Sequence, residues 1–204
     1  MARKPLMAGN WKMNNTYAEA VVLAQTISNN FDKHWTDSVD VVVCPPSIDL
    51  KPVNTVFEFD HQPIQIGAQN VYWEPKGAFT GEVSVPMLKD VHCTCSIVGH
   101  SERRGYFGET NEDVNRKVRA LLDGGLYAVA CVGESLSVRD EGGAEEFVCA
   151  QVRAAFAGLE PEEAGKCVVA YEPIWAIGTG RTATPEQAQD MCAAIRATLA
   201  DMFG

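Results

Sequence analysis

The chain has 204 residues, of which 46 % are hydrophobic and 22 % are charged, and its formal net charge is −10. This composition is that of a globular protein with enough residues for one large core or two small ones. The acidic balance argues against general binding to nucleic acid or to an anionic membrane, because both need clustered Lys and Arg. No stretch approaches the roughly 18 apolar residues of a membrane span, and Asn10 and Lys12 interrupt any signal-peptide core.

The seven cysteines are scattered through apolar runs, a pattern typical of reduced thiols in a cytoplasmic protein. Cys93 and Cys95 lack the two-residue spacer of redox and zinc-binding pairs, and the four histidines form no cluster with ligand spacing. Cys131 and Cys167 are interpreted as small buried hydrophobic residues. The sequence therefore predicts no metal site, no cofactor and a cytoplasmic location.

Six short apolar runs recur along the chain, each followed by a loop and a longer helical stretch. The runs are mostly continuous rather than alternating, as expected for parallel strands buried on both faces. The predicted strands are residues 6–11, 39–44, 64–68, 95–99, 127–132 and 167–171.

The clearest helical signal is the last one, where Thr184-Pro185-Glu186-Gln187 combines a capping box with a proline in the first turn. Amphipathic helices are also predicted at residues 111–122 and 143–156, and Gly124-Gly125 is a stop signal after the first of these. One face of the last helix is predicted to be apolar, through Ala188, Met191, Cys192, Ile195, Leu199 and Met202.

Strict β–α alternation leaves two α/β folds, a doubly wound open sheet or a (βα)8 barrel. A nucleotide-binding open sheet should carry G-x-G-x-x-G or a P-loop after an early strand, and the sequence has neither. The interval from Asn10 to Tyr171 is 161 residues over five units. Eight such units need roughly 250 residues. We therefore predict the TIM (βα)8 barrel fold with only the first six βα units present, as a single domain over residues 1–204 that stops before strands seven and eight.

In a barrel, the chemistry lies on the loops at the carboxyl ends of the strands. A single carboxylate with a histidine and a lysine at those ends suits proton abstraction next to a carbonyl, with electrostatic stabilisation of the enolate. No Ser-His-Asp elbow and no carboxylate cluster for Mg²⁺ occurs in the sequence. The polar residues that follow the predicted strands are Asn10, Lys12, His100, Ser101, Glu102, Glu134 and Glu172.

Each of these residues also has a purely structural interpretation. Glu172 could be an ion-pair partner, His100 a satisfied structural histidine, and Lys12 a solvated surface charge. Glu172 stands between a buried strand and a stiff Pro-Ile-Trp turn, and His100 stands directly before a predicted helix start, which favours function for both. Glu102 and Arg103 fit a structural ion pair as well as a supporting role.

Three long segments carry a family resemblance: residues 8–14 (AGNWKMN), 97–104 (IVGHSERR) and 170–180 (AYEPIWAIGTG). In this order they resemble motifs of the triosephosphate isomerases, and the last resembles that family's signature. The resemblance covers essentially all 204 residues. Shorter matches are residues 44–46, 67–70, 77–82 and 131–134.

The resemblance implies that Glu172 is the base that moves a proton between adjacent carbons of dihydroxyacetone phosphate or D-glyceraldehyde 3-phosphate. His100 would be the electrophile, and the family is known to use a neutral histidine kept so by a helix N-terminus. Lys12 would supply positive charge to the phosphate and to the developing oxyanion. Asn10 would donate a hydrogen bond to a substrate oxygen.

The resemblance also implies supporting parts. Ser101 would lie near the resting carboxylate of Glu172, and Glu102 would hold Lys12 or His100 in place. Glu134 and Cys131 are expected to be structural. The residues of a mobile lid would be Pro173, Ile174, Trp175, Ala176, Ile177, Gly178, Thr179 and Gly180, with the backbone N–H of Gly178 binding phosphate.

The partners implied are a small phosphorylated triose and a second copy of the chain, but neither nucleic acid nor a membrane. The homodimer would form through the Val71–Ser84 loop, whose Thr80 inserts beside Asn10 and Lys12 of the other subunit. Two alternatives stay open. One is another phosphosugar isomerase or an aldolase-type barrel, although a Schiff-base aldolase needs a lysine where Glu172 stands. The other is a catalytically inactive fragment or binding protein that lacks the C-terminal phosphate-binding loops, poorly stable on its own.

Overall fold

The computed structural model describes residues 3–177 and 180–204. These residues form two compact units, one of Met1–Ile97 with Asp123–Leu126 and one of Val98–Leu122 with Tyr127–Gly204. Each unit is described by itself below. The prediction of a single domain stays a prediction.

The first unit is a parallel sheet with helices between its strands. The strands are β1 (Leu6–Asn10), β2 (Asp40–Cys44), β3 (Gln65–Ala68) and β4 (Cys95–Val98), and the last residue of β4 counts with the second unit. Neighbouring strands pair in parallel, with Asn10 opposite Cys44 and Gly67 opposite Cys95. The helices are α1 (Tyr17–Asn30), α2 (Leu50–Phe59) and α3 (Val85–Asp90). The core is made of side chains such as Val42, Val53, Phe57, Ile66 and Leu88.

The second unit pairs two parallel strands, β5 (Tyr127–Val132) and β6 (Val168–Tyr171). Val129 and Ala130 of β5 are both buried. Because neighbouring residues of a strand face opposite sides of the sheet, β5 is buried on both faces, which explains its continuous apolar run. The helices are α4 (Ser101–Phe107), α5 (Asn111–Asp123), α6 (Leu136–Asp140), α7 (Ala144–Ala155), α8 (Pro161–Ala164) and α9 (Pro185–Phe203).

Helix α9 begins where the sequence predicted. The side chain of Gln187 accepts from the backbone N–H of Thr184 at 3.0 Å, and the hydroxyl of Thr184 accepts from the backbone N–H of Gln187 at 3.2 Å. Met191 and Ile195 of the predicted apolar face are buried. Thr198 is buried as well, because its hydroxyl is satisfied by the carbonyl of Ala194 at 3.0 Å.

The predicted α/β alternation of six strands is confirmed, and every strand boundary lies within one residue of the prediction. The predicted helices at residues 111–122 and 143–156 are confirmed as α5 and α7, and α5 ends directly before Gly124-Gly125. Among the described residues, no helix is both long enough and apolar enough to cross a membrane.

Candidate active site

A tight turn after β4 positions His100. Gly99 there has φ 71°, and a Cβ on it would lie 2.9 Å from a methyl group of Val114 and 3.1 Å from the carbonyl oxygen of Cys131. Only glycine fits both the left-handed backbone and this space. The carbonyl of Gly99 accepts from the guanidinium of Arg104 at 2.7 Å, so the turn is also held from α4. His100 itself is the N-terminal capping residue of α4.

The hydrogen bonds of His100 determine which ring nitrogen carries its proton. The Nδ1 atom accepts from the backbone N–H of Glu102 at 3.2 Å, so Nδ1 has no proton of its own. The Nε2–H group then donates to Oε1 of Glu172, with Nε2 2.9 Å from Oε1. The carboxylate of Glu102 also lies 3.5 Å from Nδ1, but it can form an ion pair only with a doubly protonated ring. The backbone donor fits the ring that carries a single proton, on Nε2.

Glu172 follows β6, and its side chain is 17 % exposed. Its Oε2 accepts from the backbone N–H of Ser101 at 3.2 Å, and its own backbone N–H donates to the carbonyl of Val132 at 2.8 Å. Burial raises the pKa of this carboxyl group. The hydrogen bonds from His100 and Ser101 lower the pKa by more than burial raises it, so the net pKa lies below its ordinary value of 4.5. Glu172 is therefore ionised at neutral pH and available as a base.

Cys131 of β5 is a neighbour of this carboxylate that the sequence did not reveal. Burial, and then the charge of Glu172 and a hydrogen bond to it, raise the pKa of the Cys131 thiol. The thiol thus stays protonated beside Glu172. The prediction of a buried side chain at Cys131 is confirmed, and contact with the base is added to it.

Glu134 anchors the start of the predicted lid. It is completely buried, and its Oε1 accepts from Arg139 at 2.9 Å, from the hydroxyl of Tyr171 at 3.0 Å and from the indole N–H of Trp175 at 2.7 Å. Burial and then the charge of Glu134 raise the pKa of Tyr171 to about 12, so Tyr171 remains a donor. The guanidinium of Arg139 also lies 4.5 Å from the centre of the Trp175 ring.

The lid residues that are described differ in how they are held. A 3₁₀ turn at Ile174–Ala176 follows Pro173, and Trp175 within it is 6 % exposed. Ile177 is 45 % exposed, and Gly180 has φ 77° with no neighbour within 4 Å of a Cβ placed on it. The predicted phosphate donor Gly178 and its neighbour Thr179 lie outside the described residues. Their roles stay predictions.

The first unit holds Asn10 and Lys12 at the end of β1. Lys12 has φ 55°, a conformation that costs an ordinary residue of order 1 kcal/mol or more. Hydrogen bonds compensate for it. The backbone N–H of Lys12 donates to the side chain of Asn10 at 3.0 Å, and the amide of Gln69 donates to the carbonyls of Lys12 and Cys44, each at 2.8 Å. Gln69 was visible in the sequence only as part of a short family match.

The predicted dimer loop is closed at its base by a hydrogen bond from the backbone N–H of Tyr72 to the carbonyl of Val83 at 2.8 Å. The rings of Tyr72 and Phe79 are in contact at an interplanar angle of 42°, with centroids 4.6 Å apart, while Phe79 stays 39 % exposed. Thr80, next to it, is exposed. The loop thus presents an ordered tip.

The structure brings together His100, Ser101, Glu102 and Glu172 in the second unit, and Asn10 and Lys12 in the first. Throughout residues 3–177 and 180–204, no group of three or more His, Cys, Asp or Glu side chains is arranged to hold a metal ion.

Comparisons with known proteins agree with the resemblance. The family model described as triosephosphate isomerase matches residues 5–204. A protein named triosephosphate isomerase from Saccharopolyspora erythraea is 48 % identical over 204 residues, which are all of this chain and 78 % of the relative. One of the same name from Chloroflexus aurantiacus is 52 % identical over 202 residues, 99 % of this chain and 79 % of the relative. A third, from Streptococcus pyogenes serotype M2, is 47 % identical over 204 residues, again covering 79 % of the relative.

Proposed function

Because this chain belongs to the triosephosphate isomerase family, and so to the TIM-barrel fold class, we propose that it interconverts dihydroxyacetone phosphate and D-glyceraldehyde 3-phosphate. The reaction is an aldose–ketose isomerisation through an enediolate, and it needs a base and an electrophile but no redox partner. The observation that supports it best is the pair in which neutral His100 donates from Nε2 to the ionised Glu172, 2.9 Å away.

Glu172 takes the carbon-bound proton of dihydroxyacetone phosphate and returns a proton to the adjacent carbon. When the substrate binds, the hydrogen bond between His100 and Glu172 breaks, and both side chains contact the substrate instead. The Nε2–H group of His100 then donates to the carbonyl oxygen, and this bond strengthens as negative charge develops there. The backbone donor on Nδ1 keeps the ring in the tautomer that this step requires.

Two further residues bind the charged and polar groups of the substrate. Lys12 provides positive charge to the phosphate and to the enediolate oxygen, and Asn10 donates to a substrate oxygen. The backbone hydrogen bonds around Lys12 support this role, because they hold its unusual conformation before substrate arrives.

The lid over residues 173–180 closes on the phosphate through Gly178 and excludes water. Exclusion matters because an exposed enediolate can expel phosphate instead of accepting a proton. Glu134 supports this proposal, because its hydrogen bond from the indole of Trp175 fixes the N-terminal end of the lid, about which the rest of the lid closes.

The protein works as a homodimer without a cofactor, in the cytoplasm, within glycolysis and gluconeogenesis. The Val71–Ser84 loop makes the dimer, with Thr80 placed beside Asn10 and Lys12 of the second subunit. Its ordered, exposed tip supports this proposal. No nucleic acid or membrane takes part.

The test is the isomerase activity of the Glu172→Asp variant in a coupled assay. The shorter side chain withdraws the carboxylate by about one bond, and a displacement near 1 Å costs about a hundredfold in turnover. The matched control is Glu145→Asp on the exposed start of α7, which should keep wild-type activity. Wild-type turnover by Glu172→Asp would show that another residue is the base. A wild-type protein that binds the triose phosphate without converting it would favour the alternative of an inactive binding protein.

A further inference from the structure

Helix α7 buries the amide side chain of Gln151 beside apolar residues. Gln151 is 5 % exposed, and the other buried residues of this helix are Val148, Cys149, Val152 and Ala155. Glutamine is seldom buried, because its amide loses hydrogen bonds to water and must find a partner in the protein instead. A polar partner must therefore lie against this face of α7.

The partner of Gln151 is the backbone N–H of Gly133, the residue directly after β5. This N–H group donates to the side-chain oxygen of Gln151 at 2.8 Å, and both residues are buried. A buried backbone N–H without an acceptor is costly. Gln151 supplies the acceptor from a helix rather than from a neighbouring strand, so it ties the end of β5 to α7.

The end of β5 is in turn in contact with the backbone of Glu172. The carbonyl of Val132 accepts from the backbone N–H of Glu172 at 2.8 Å. A Cβ placed on Gly133 would lie 1.9 Å from the carbonyl oxygen of Glu172 and 3.0 Å from its carbonyl carbon, so the two backbones are in direct contact. Residues 132 and 133 thus hold Glu172 at both its backbone N–H and its carbonyl. A shift of Gly133 would therefore move the base.

We propose that Gln151 is a positioning residue for the catalytic base, because by holding Gly133 it fixes the place of the Glu172 carboxylate. This role rests on the proposed isomerase function, and Gln151 acts through Gly133 without contacting the substrate itself. The carboxylate must keep its place near Nε2 of His100, 2.9 Å away, and the backbone N–H of Ser101, 3.2 Å away. A displacement near 1 Å costs about a hundredfold in turnover, so a modest shift at Gly133 is sufficient to slow the reaction.

The first test is the steady-state kinetics of the Gln151→Met variant. Methionine keeps the length of the side chain, but its sulfur is only a weak acceptor. The matched control is Asn115→Leu, which removes another side-chain amide that holds α7. Asn115 donates to the carbonyls of Ala155 and Ala157, at the end of that helix, at 3.0 and 3.2 Å. Both variants should lower Tm, and kcat and KM are measured well below either Tm.

Gln151→Met should lower kcat at least about tenfold and leave KM unchanged, because it displaces the base but no group that binds the phosphate. Asn115→Leu should keep wild-type kcat. Wild-type kcat in folded Gln151→Met, together with a lowered Tm, would show that Gln151 serves stability alone and would overturn the proposal. If Gln151→Met does not fold, Gln151→Asn takes its place, since it keeps an amide in the core but is one methylene shorter.

The second test does not depend on activity. Urea unfolding is measured for Gln151→Met, Glu172→Gln and the double variant, as a double-mutant cycle. Since Gln151 positions the carboxylate, Glu172→Gln should change the free energy of unfolding less once Gly133 is released, whereas its effect should be additive with that of Asn115→Leu. Additive effects of Gln151→Met and Glu172→Gln would overturn the proposal. A wild type without isomerase activity would instead contradict the proposed function, and the cycle would still report whether Gln151 fixes the position of Glu172.

Discussion

Replacing Gly133 by alanine should disturb the base without touching its side chain. Gly133 follows β5, and a Cβ placed there would lie 1.9 Å from the carbonyl oxygen of Glu172 and 3.2 Å from a side-chain carbon of Ile174. Real Cβ contacts essentially never fall below 3.0 Å, so the backbones of Gly133 and Glu172 must separate by about 1.1 Å. The hydrogen bond from the backbone N–H of Glu172 to Val132, now 2.8 Å, must lengthen or break with it.

A backbone displacement of this size should lower both the turnover and the stability of the protein. A shift of about 1 Å in a catalytic group costs about a hundredfold in turnover. Overpacking of this kind costs about 1–3 kcal/mol of stability. In a chain of this size, about 2 kcal/mol lowers Tm by about 4–8 °C.

The assay compares kcat and Tm of Gly133→Ala with those of wild type and of Gly105→Ala. Gly105 lies inside α4, and a Cβ there would meet nothing within 4 Å. Alanine at that position should stabilise the helix by about 0.5–1 kcal/mol. Wild-type kcat and Tm in Gly133→Ala would show that the close approach of Gly133 to Glu172 does not constrain the base.

Three further predictions concern charge and assembly. Lys12→Ala should raise KM and lower kcat together, since the charge serves both the phosphate and the oxyanion; a rise in KM alone would confine Lys12 to ground-state binding. Deleting residues 77–81 should give a monomer of low activity, and an unchanged dimer mass in light scattering would exclude this loop as the interface. The lowered pKa of Glu172 means that its stabilising contribution is complete above its ordinary value of 4.5 and is lost as the pH falls through the folded-state pKa below it. The stability advantage of wild type over Glu172→Gln, measured by urea unfolding, should therefore shrink below pH 4.5; an advantage that grows in acid would contradict the sign of the shift.

The fold was predictable from sequence because local signals were strong. Continuous apolar runs predicted the strands. The capping-box pattern Thr184-Pro185-Glu186-Gln187 predicted the start of α9, where the structure shows reciprocal hydrogen bonds between Thr184 and Gln187. His100 and Glu172 could be chosen as candidates because each stands at a strand end. Their mutual distance, and the backbone donor that sets the tautomer of His100, depend on two chain segments meeting.

Contacts between residues far apart in the chain could not be predicted from the sequence. Glu134 and Trp175 are 41 residues apart, and nothing in either neighbourhood indicates that one anchors the other. The contact of Cys131 with Glu172 was missed for the same reason.

In the proposed mechanism, Glu172 removes a carbon-bound proton while neutral His100 polarises the carbonyl. The most direct measurement is deuterium incorporation from D₂O into dihydroxyacetone phosphate, followed by NMR, for the wild-type protein and its Glu172→Gln variant. We expect enzyme-dependent incorporation at the carbon that loses its proton, and a rate about 10²- to 10⁴-fold lower in the variant. Incorporation at the same rate in both proteins, or none above the buffer rate with wild type, would contradict it.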